Sequence, residues 1–183
     1  MLEEGTIKKC IEGDRGAQEK LYSFYAPRLH GICLRYTTTM FEAEDIFQEA
    51  FVKIFRQLGN YKWEGSFDGW VRRIVVNTAI DHYKANMKKN NHVHLELLEE
   101  SNLDYLALPH DMNDDDLVLI LTKLPEGYRL VFNLYAIEGY SHKEIATMLN
   151  ITEGTSKSQL SKARKYIQSL LHLHGIENGT GTI

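Results

Sequence analysis

Two short helices that meet at a tight turn are predicted between Ser141 and Leu171, and this segment constrains the fold more than any other. Ser141 and Glu144 have the spacing of a capping box, in which each side chain bonds a backbone N–H at a helix start. Asn150 can adopt the left-handed conformation that ends a helix, and Thr152 can cap the next one. The sequence therefore predicts a helix-turn-helix whose second helix is the recognition helix.

The second helix has an apolar side that must face a core and a polar side that faces water. Short hydroxyl side chains can approach base edges of DNA, and lysines can neutralise phosphates. An ordinary helical hairpin with a solvated basic face is the alternative, and this segment alone does not exclude it. The candidate DNA contacts of this helix are Thr155, Lys157, Ser158, Gln159, Ser161, Lys162 and Lys165.

Charge is distributed unevenly along the 183 residues, whose formal net charge is −4 at pH 7. Residues 52–90 contain eight Lys and Arg against three acids, whereas residues 91–116 contain eight acids and no Lys or Arg. An acidic total argues against nucleic-acid binding only when charge is uniform. We therefore expect a cationic patch in the first segment, and we exclude the second segment as a DNA contact.

The sequence has no pattern typical of a metal site, an active site or a membrane span. Cys10 and Cys33 have no CxxC partner, so we expect buried or idle thiols. His92, His94 and His110 match no ligand spacing, and neither a Ser-His-acid set nor a phosphate-binding glycine loop occurs. No apolar run could span a bilayer, and no signal-peptide pattern is present. We expect a cytoplasmic protein with no cofactor, no metal and no enzymatic activity.

The first half of the chain predicts several packing helices and one strongly amphipathic helix. One helix around Leu21 should break before Pro27, which should begin the next helix. The amphipathic helix runs from Ala43 to Leu58, and Val52 lies roughly 160° from the centre of its apolar stripe. A single exposed valine is normal in soluble proteins, but it can also indicate a docking surface. The residues opposite the apolar stripe are Asp45, Gln48, Glu49, Val52, Lys53 and Arg56.

A loop with two aromatic residues, Gly59–Gly65, precedes a long helix that Ser66 should cap. One arc of this helix, roughly 140° wide, mixes basic and apolar residues. Unpaired bases offer faces for stacking and phosphates for arginines, so this mixture suits single-stranded DNA. Packing on another helix of the same bundle is the alternative. The candidates in the loop and the arc are Tyr61, Trp63, Arg72, Arg73, Val76, Asn77, Ile80, Tyr83 and Lys84.

These elements predict an all-α protein of two small helical bundles joined by an acidic linker. The first bundle should cover residues 1–90 and the linker residues 91–113. The second should cover residues 114–173, with a helix starting at Pro125 and ending at Gly139 ahead of the helix-turn-helix. Residues 174–183 should form a flexible, Gly-rich tail.

Three stretches of the chain resemble the two conserved blocks of bacterial RNA polymerase sigma factors of the sigma-70 family. They are AEDIFQEAFVKIF at 43–55, GSFDGWVRRIVVNTAIDHY at 65–83 and LPEGYRLVFNLYAIEGYSHKEIATMLNITEGTSKSQLSKAR at 124–164. The stretches occur in the family's order, and the small two-domain size resembles the extracytoplasmic-function group. This combination is far more specific than a helix-turn-helix alone.

The resemblance implies a role for each segment. The first domain would be sigma region 2, whose helix at 43–55 grips the coiled coil of the largest polymerase subunit. Its aromatic loop and the helix from Ser66 to Lys84 would capture the melted minus-10 element, with Asn77 contacting a base. The second domain would be a winged-helix-like region 4 that reads the duplex minus-35 element, and the acidic linker would thread the RNA exit channel.

The resemblance also implies the partners and the activity. The expected partners are core RNA polymerase, promoter DNA as duplex and as melted single strand, and an anti-sigma factor, with no membrane insertion of the chain itself. The expected function is promoter recognition, DNA melting and transcription initiation as a dissociable polymerase subunit. The alternative is a stand-alone dimeric helix-turn-helix regulator, which would bind a palindrome and would not need Val52.

Overall fold

The computed structural model of the chain describes residues 2–89 and 114–173. Those residues form eight α-helices and contain no strand, so the all-α prediction is confirmed. The chain divides into two compact units, Met1–Asn90 and Asn91–Ile183. The predicted acidic linker, its three histidines and the predicted tail lie outside the described residues.

Unit 1 contains four helices: α1 (Glu4–Ile11), α2 (Arg15–Tyr36), α3 (Met40–Gln57) and α4 (Phe67–Lys89). A short 3₁₀ turn, Leu58–Asn60, follows α3. Helix α4 packs against both α2 and α3, and α1 packs against α2. The core of the unit therefore lies among α2, α3 and α4, with α1 on its outside.

Side-chain caps fix where three of these helices begin. The Asp14 carboxylate accepts a backbone N–H at 2.7 Å at the start of α2, and the Thr39 hydroxyl accepts one at 3.2 Å at the start of α3. The Ser66 hydroxyl accepts one at 3.4 Å at the start of α4, as predicted. Each cap satisfies a donor that has no partner within its own helix.

The predicted break before Pro27 is wrong, because α2 continues through that residue. Proline removes one N–H···O bond, and the carbonyl that loses its partner belongs to Ser23. Both Pro27 and Ser23 are exposed, so water can bond that carbonyl. Buried residues recur at helical spacing on both sides of the proline, including Leu21, Tyr25 and Leu29, and their burial outweighs the lost bond.

Unit 2 contains α5 (Asp114–Thr122), α6 (Glu126–Phe132), α7 (His142–Leu149) and α8 (Glu153–Leu173). Pro125 occupies the N-cap position of α6, and Gly139, at φ +79°, follows the end of the π-helical turn Asn133–Ile137. Both predicted boundaries are confirmed. No strand occurs within residues 114–173, so the comparison with a winged helix extends only to the helices.

A buried arginine lies in the core of unit 2, although no sequence pattern predicts its burial. Arg129 is buried on α6, and its guanidinium donates to the Leu124 carbonyl at 3.3 Å. The Asn133 side-chain amide donates to the Arg129 carbonyl at 2.9 Å where the π-helical turn begins. Buried charges need such hydrogen bonds because they lose water.

Both cysteines are free and buried, as expected. Burial raises the pKa of the Cys33 thiol to about 12, and burial together with the Asp14 carboxylate raises the pKa of the Cys10 thiol. Both thiols therefore stay protonated at neutral pH and are poor nucleophiles. Along the described helices, none is both long and apolar enough to cross a membrane.

Candidate nucleic-acid and protein interfaces

The helix-turn-helix has the geometry that the sequence predicts. The Glu144 carboxylate accepts the Ser141 N–H at 2.8 Å, and the Ser141 hydroxyl accepts the Glu144 N–H at 3.3 Å. Asn150 ends α7 in the left-handed region, at φ 57° and ψ 47°. The Thr152 hydroxyl then accepts the Thr155 N–H at 3.0 Å and caps α8. The capping box, the turn and the second cap are confirmed.

Helix α8 separates a buried side from a polar side. Ser156, Leu160, Ala163 and Ile167 are buried, as expected. The prediction that Gln159 contacts DNA is wrong, since that side chain is buried. The remaining candidates are either exposed, namely Lys157 and Lys165, or partly exposed, namely Thr155, Ser158, Ser161 and Lys162.

A histidine at the start of α7 contacts α8, and no sequence pattern points to this contact. The His142 ring stacks on Tyr135 with centroids 4.5 Å apart, and its Nδ1 lies 2.9 Å from the hydroxyl of the buried Ser156. Burial lowers the pKa of His142, and the nearby Lys157 and Arg164 lower it further. His142 is therefore neutral at pH 7 and joins α7 to α8 as an uncharged hydrogen-bonding group.

The polar side of α3 faces solvent, as the amphipathic pattern predicts. Val52 is 56% exposed, and Asp45, Gln48 and Arg56 are also exposed. Phe51, which the sequence analysis left unassigned, is buried and contacts Tyr22 and Phe47. We use the name α3 strip for Asp45, Gln48, Val52 and Arg56.

Two further candidates on α3, Glu49 and Lys53, are tied to α4 by a charged network. The Glu49 carboxylate lies 2.8 Å from the Lys53 ammonium and 2.7 Å from the His82 ring nitrogen. The Lys53 ammonium also lies 3.5 Å from the Asp81 carboxylate. The hydrogen bond from Lys53 and that from His82 lower the pKa of Glu49 against the opposing effect of burial. This network joins α3 to α4 beside the α3 strip.

Two of the predicted single-strand contacts on α4 are core residues. Val76 is 1% exposed and Ile80 is 3% exposed, so their placement on a DNA-facing surface is wrong. Helix α4 packs against both α2 and α3, so more than one side of it is covered. The alternative reading, packing within the same bundle, is correct for these two residues.

The solvent-facing side of α4 is narrower than the predicted arc. Arg73 and Asn77 are exposed, whereas Arg72, Tyr83 and Lys84 are partly exposed. Trp70 is also partly exposed and stacks on Phe67 with centroids 5.5 Å apart. Trp70, Arg73 and Asn77 follow helical spacing, so they lie on one side of α4. We call these three residues the α4 strip.

The aromatic loop before α4 contains one buried aromatic residue and one exposed aromatic residue. Tyr61 is buried and donates to the Gly65 carbonyl at 2.9 Å, so the prediction that it faces DNA is wrong. Trp63 is exposed and has φ 60°, a backbone conformation that is rare for a bulky side chain. Such strain costs of order 1–3 kcal/mol and is typically found at functional sites. The Lys8 ammonium of α1 lies 5.4 Å from the centroid of the Trp63 ring.

Both units match models of known protein families. Residues 21–89 match Sigma-70 region 2, and residues 114–167 match Sigma-70, region 4. Two relatives are each 30% identical to this chain. The RNA polymerase sigma-H factor of Pseudomonas aeruginosa aligns over 90% of this chain and 91% of its own length. The ECF RNA polymerase sigma factor SigE of Mycolicibacterium smegmatis aligns over 94% of this chain and 70% of its own length.

A solved structure has the same fold. The sigma factor RpoE from Bartonella quintana, crystallised with the anti-sigma factor NepR, aligns over 85% of this chain and 96% of its own with a TM-score of 0.50 and 20% identity. Region 2 followed by region 4 defines a promoter-recognition subunit of RNA polymerase. The chain belongs to the sigma-70 family of RNA polymerase sigma factors, in its extracytoplasmic-function group. The stand-alone dimeric regulator is not supported.

Proposed function

We propose that three separate surfaces of this sigma factor carry out its work in transcription initiation. The α3 strip binds core RNA polymerase, the aromatic loop and the α4 strip receive the melted minus-10 element, and the polar side of α8 reads the duplex minus-35 element. The region 2 domain would extend over residues 1–90 and the region 4 domain over residues 114–173. The observation that carries the proposal is the 56% exposure of Val52 among polar side chains on a helix whose other side is fully packed.

The α3 strip suits a protein partner better than DNA. Its two charges, Asp45 and Arg56, are opposite and give it no excess of positive charge for phosphates, while Val52 offers apolar area that a partner can bury. Neither Asp45 nor Gln48 has a side-chain hydrogen bond or ion pair within residues 2–89 and 114–173, so both can bond a partner. Glu49 and Lys53, which lie beside the strip, are instead paired with His82 and Asp81 of α4.

The aromatic loop and the α4 strip suit a base that has left the stack. Trp63 presents an exposed aromatic face on which a base can stack. On α4, the Arg73 guanidinium lies about one turn after Trp70, and the Asn77 amide lies about two turns after it. Unstacking a base costs a few kcal/mol, and contacts in a pocket must offset that cost. We assign base contact to Asn77 because its amide can both donate and accept a hydrogen bond.

The polar side of α8 suits duplex DNA. Lys157 and Lys165 are exposed, and the partly exposed Thr155, Ser158 and Ser161 add short hydroxyls to the same polar side of α8. The lysines would neutralise phosphates, and the hydroxyls would approach base edges in the major groove. Gln159 is not part of this proposal, since its side chain is buried.

A binding experiment with core polymerase tests the assignment of the α3 strip. Asp45→Arg combined with Val52→Asp should abolish binding in size-exclusion chromatography and leave the helical content of the free protein unchanged, because both residues are exposed. The matched control is Glu19→Arg with Ile11→Asp, which changes an exposed acid and an exposed apolar residue on α2 and α1. Binding of the double variant at the wild-type level would refute the assignment.

We further propose that an anti-sigma factor covers the DNA-facing surfaces while the protein is idle. The family resemblance supports this, and the RpoE protein of Bartonella quintana was crystallised with such a partner. Affinity purification from uninduced cells should recover a stoichiometric protein that blocks transcription by the reconstituted holoenzyme. If the purified chain is free of any such inhibitor, regulation must act elsewhere, for example on transcription of the gene.

The proposal includes no catalysis by the chain itself and places it in the cytoplasm with the polymerase. The core enzyme would supply all of the nucleotide chemistry, and the sigma factor would supply position and melting. Promoter-directed RNA synthesis should therefore require both proteins and should begin at the promoter only when the sigma factor is present. Nucleotide incorporation by the chain alone would contradict this.

A further inference from the structure

Phe41, in the first turn of α3, is 72% exposed. No other large apolar side chain whose exposure the structure describes is as exposed. Its ring stacks on no other aromatic ring within residues 2–89 and 114–173. A single exposed apolar residue needs no explanation, so its position on the helix must decide whether it matters.

The position of Phe41 aligns it with the α3 strip. Phe41 and Val52 are eleven residues apart, which at about 100° per residue puts them within about 20° of each other around the helix axis. The same spacing puts them about 16 Å apart along the axis. Asp45 and Gln48 lie between them, so the intervals are four, three and four residues, the spacing at which one helix contacts another along a seam.

The core of unit 1 cannot accept the Phe41 ring, because the opposite side of α3 is already filled. Ala43, Ile46 and Ala50 are buried there and contact neighbouring helices. Phe41 lies about 160° around the helix from Ala43, on the solvent side. The apolar surface of Phe41 can therefore be covered only by a partner that binds the solvent-facing side of α3.

We propose that Phe41 is a second apolar anchor of the polymerase-binding surface and is covered by the same region of core RNA polymerase as Val52. This inference rests on the proposed role of the α3 strip. The partner that covers Phe41 is the polymerase rather than a separate protein because Phe41 continues the α3 strip. On the solvent side of α3, no buried residue separates Phe41 from Asp45. The polymerase surface would present an apolar contact at each end and groups that bond Asp45 and Gln48 between them.

The test is the affinity of full-length variants for core polymerase, measured by competition against labelled wild-type protein. Phe41→Ser should weaken binding by about tenfold, since buried aromatic anchors contribute a large share of interface energy. Phe41→Leu should recover most of the affinity because it restores apolar area. The matched control is Met40→Ser, at the neighbouring residue, which is 56% exposed but lies about 100° around the helix. That control should stay within about twofold of wild type.

A double variant tests whether the two anchors contribute independently to polymerase binding. Phe41→Ser with Val52→Ser should weaken binding by about the product of the two separate factors, because side chains about 16 Å apart do not contact each other or the same groups of the polymerase. Thermal unfolding followed by the fluorescence of Trp63 and Trp70 should be the same for all variants, since the changed residues are exposed.

Each contrary outcome has a separate meaning. If Val52→Asp abolishes polymerase binding while Phe41→Ser binds as wild type, the inference about Phe41 is wrong and the role of the α3 strip stands. If neither change affects binding, the α3 strip itself has been misassigned. If Met40→Ser and Phe41→Ser weaken polymerase binding equally, the inference is also wrong, because the effect would not depend on which side of α3 the changed residue occupies. Loss of a self-associated form on Phe41→Ser would show that a second copy of the chain covers the ring instead.

Discussion

Helices α4 and α8 are of similar length and both carry basic residues on a polar side, yet their neighbours cover them to different extents. The buried residues of α8, from Ser156 to Leu171, occupy an arc of about 120°. Those of α4, including Val71, Val76 and Ile80, occupy about 240°, because two helices pack on it. The sequence pattern predicts one packed side for each helix, and this prediction is correct only for α8.

The difference shows what an apolar residue on a cationic helix means. The basic residues that flank Val76 and Ile80 suggest stacking surfaces, but a helix that is apolar over most of its circumference is typical of a central position in a bundle. The DNA-facing candidates on α4 are therefore the α4 strip and the flanking cations. On α8 the polar side is wide, and its candidates are short hydroxyls and lysines.

Truncation of a buried α4 residue gives the largest expected effect. Ile80→Ala should lower the free energy of unfolding of unit 1 by about 2–5 kcal/mol, because it removes buried methyl groups and leaves a cavity. Urea unfolding followed by tryptophan fluorescence measures this, since Trp63 and Trp70 are the only two tryptophans and both lie in unit 1. Val52→Ala is the control and should stay within about 0.5 kcal/mol. If Ile80→Ala leaves the stability unchanged and impairs promoter melting, Ile80 contacts the bases of melted DNA after all.

Removal of the Asn77 side chain should affect melting without affecting stability. Asn77→Ala should reduce open-complex formation on duplex promoters by about tenfold, because a lost contact to the extracted base leaves part of the unstacking cost uncompensated. Permanganate footprinting of unpaired thymines measures the yield. A premelted bubble should recover part of the loss, and binding to a duplex minus-35 fragment should be unchanged.

The control for that experiment lies on the same helix. Asn86→Ala changes another amide of α4 that lies about 180° around the axis from Asn77, so it should leave open-complex formation intact. If Asn77→Ala and wild-type protein give equal yields on duplex DNA, the melting contact has been assigned to the wrong residue.

A lysine on α8 should act through phosphate charge alone. Lys157→Ala should weaken binding of a duplex minus-35 fragment for all sequences and should lower the salt slope by about one unit, since one fewer counterion is released. Fluorescence anisotropy at several salt concentrations measures the slope. Lys20→Ala, at an exposed lysine of α2 in unit 1, should leave it unchanged. A sequence-dependent loss from Lys157→Ala would indicate a base contact instead.

The smallest expected effect is a pH dependence of unit 2 through His142. Burial and the positive charges of Lys157 and Arg164 lower the pKa of His142, against a weaker opposing effect from Glu153, so the folded state binds its proton less tightly than the unfolded state does. Unit 2 should therefore keep its full stability above pH 6.5, the ordinary pKa of histidine. It should lose stability as the pH falls through the lower pKa that His142 has in the folded state.

Site-resolved unfolding measures this effect. Urea titrations that follow the methyl signals of Ile145 and Ile167, which are buried in unit 2, should show lower stability at pH 5 than at pH 7.5. His142→Gln keeps a hydrogen-bonding group but cannot titrate in this range, so it should reduce the difference. An identical pH dependence in both proteins would show that another group is responsible.

Local signals were sufficient where a short stretch controls its own geometry. The capping box of Ser141 and Glu144, the left-handed Asn150 and the Thr152 cap involve groups at most three residues apart, and all were predicted. The exposure of Val52 followed from a strong single-sided pattern on α3. The resemblance to sigma factors added what each segment does, which no local signal contains.

The sequence by itself determined the all-α class, the helix-turn-helix and the outward side of α3, because periodicity and capping act over a few residues. Only the tertiary structure decided how much of each helix is covered, because that depends on which distant helices pack against it. The burial of Val76, Ile80, Tyr61 and Gln159 and the continuity of α2 through Pro27 are of this kind. The contacts of His142 with Ser156, Glu49 with His82 and Lys8 with Trp63 also join separate elements, and neither spacing nor composition encodes them.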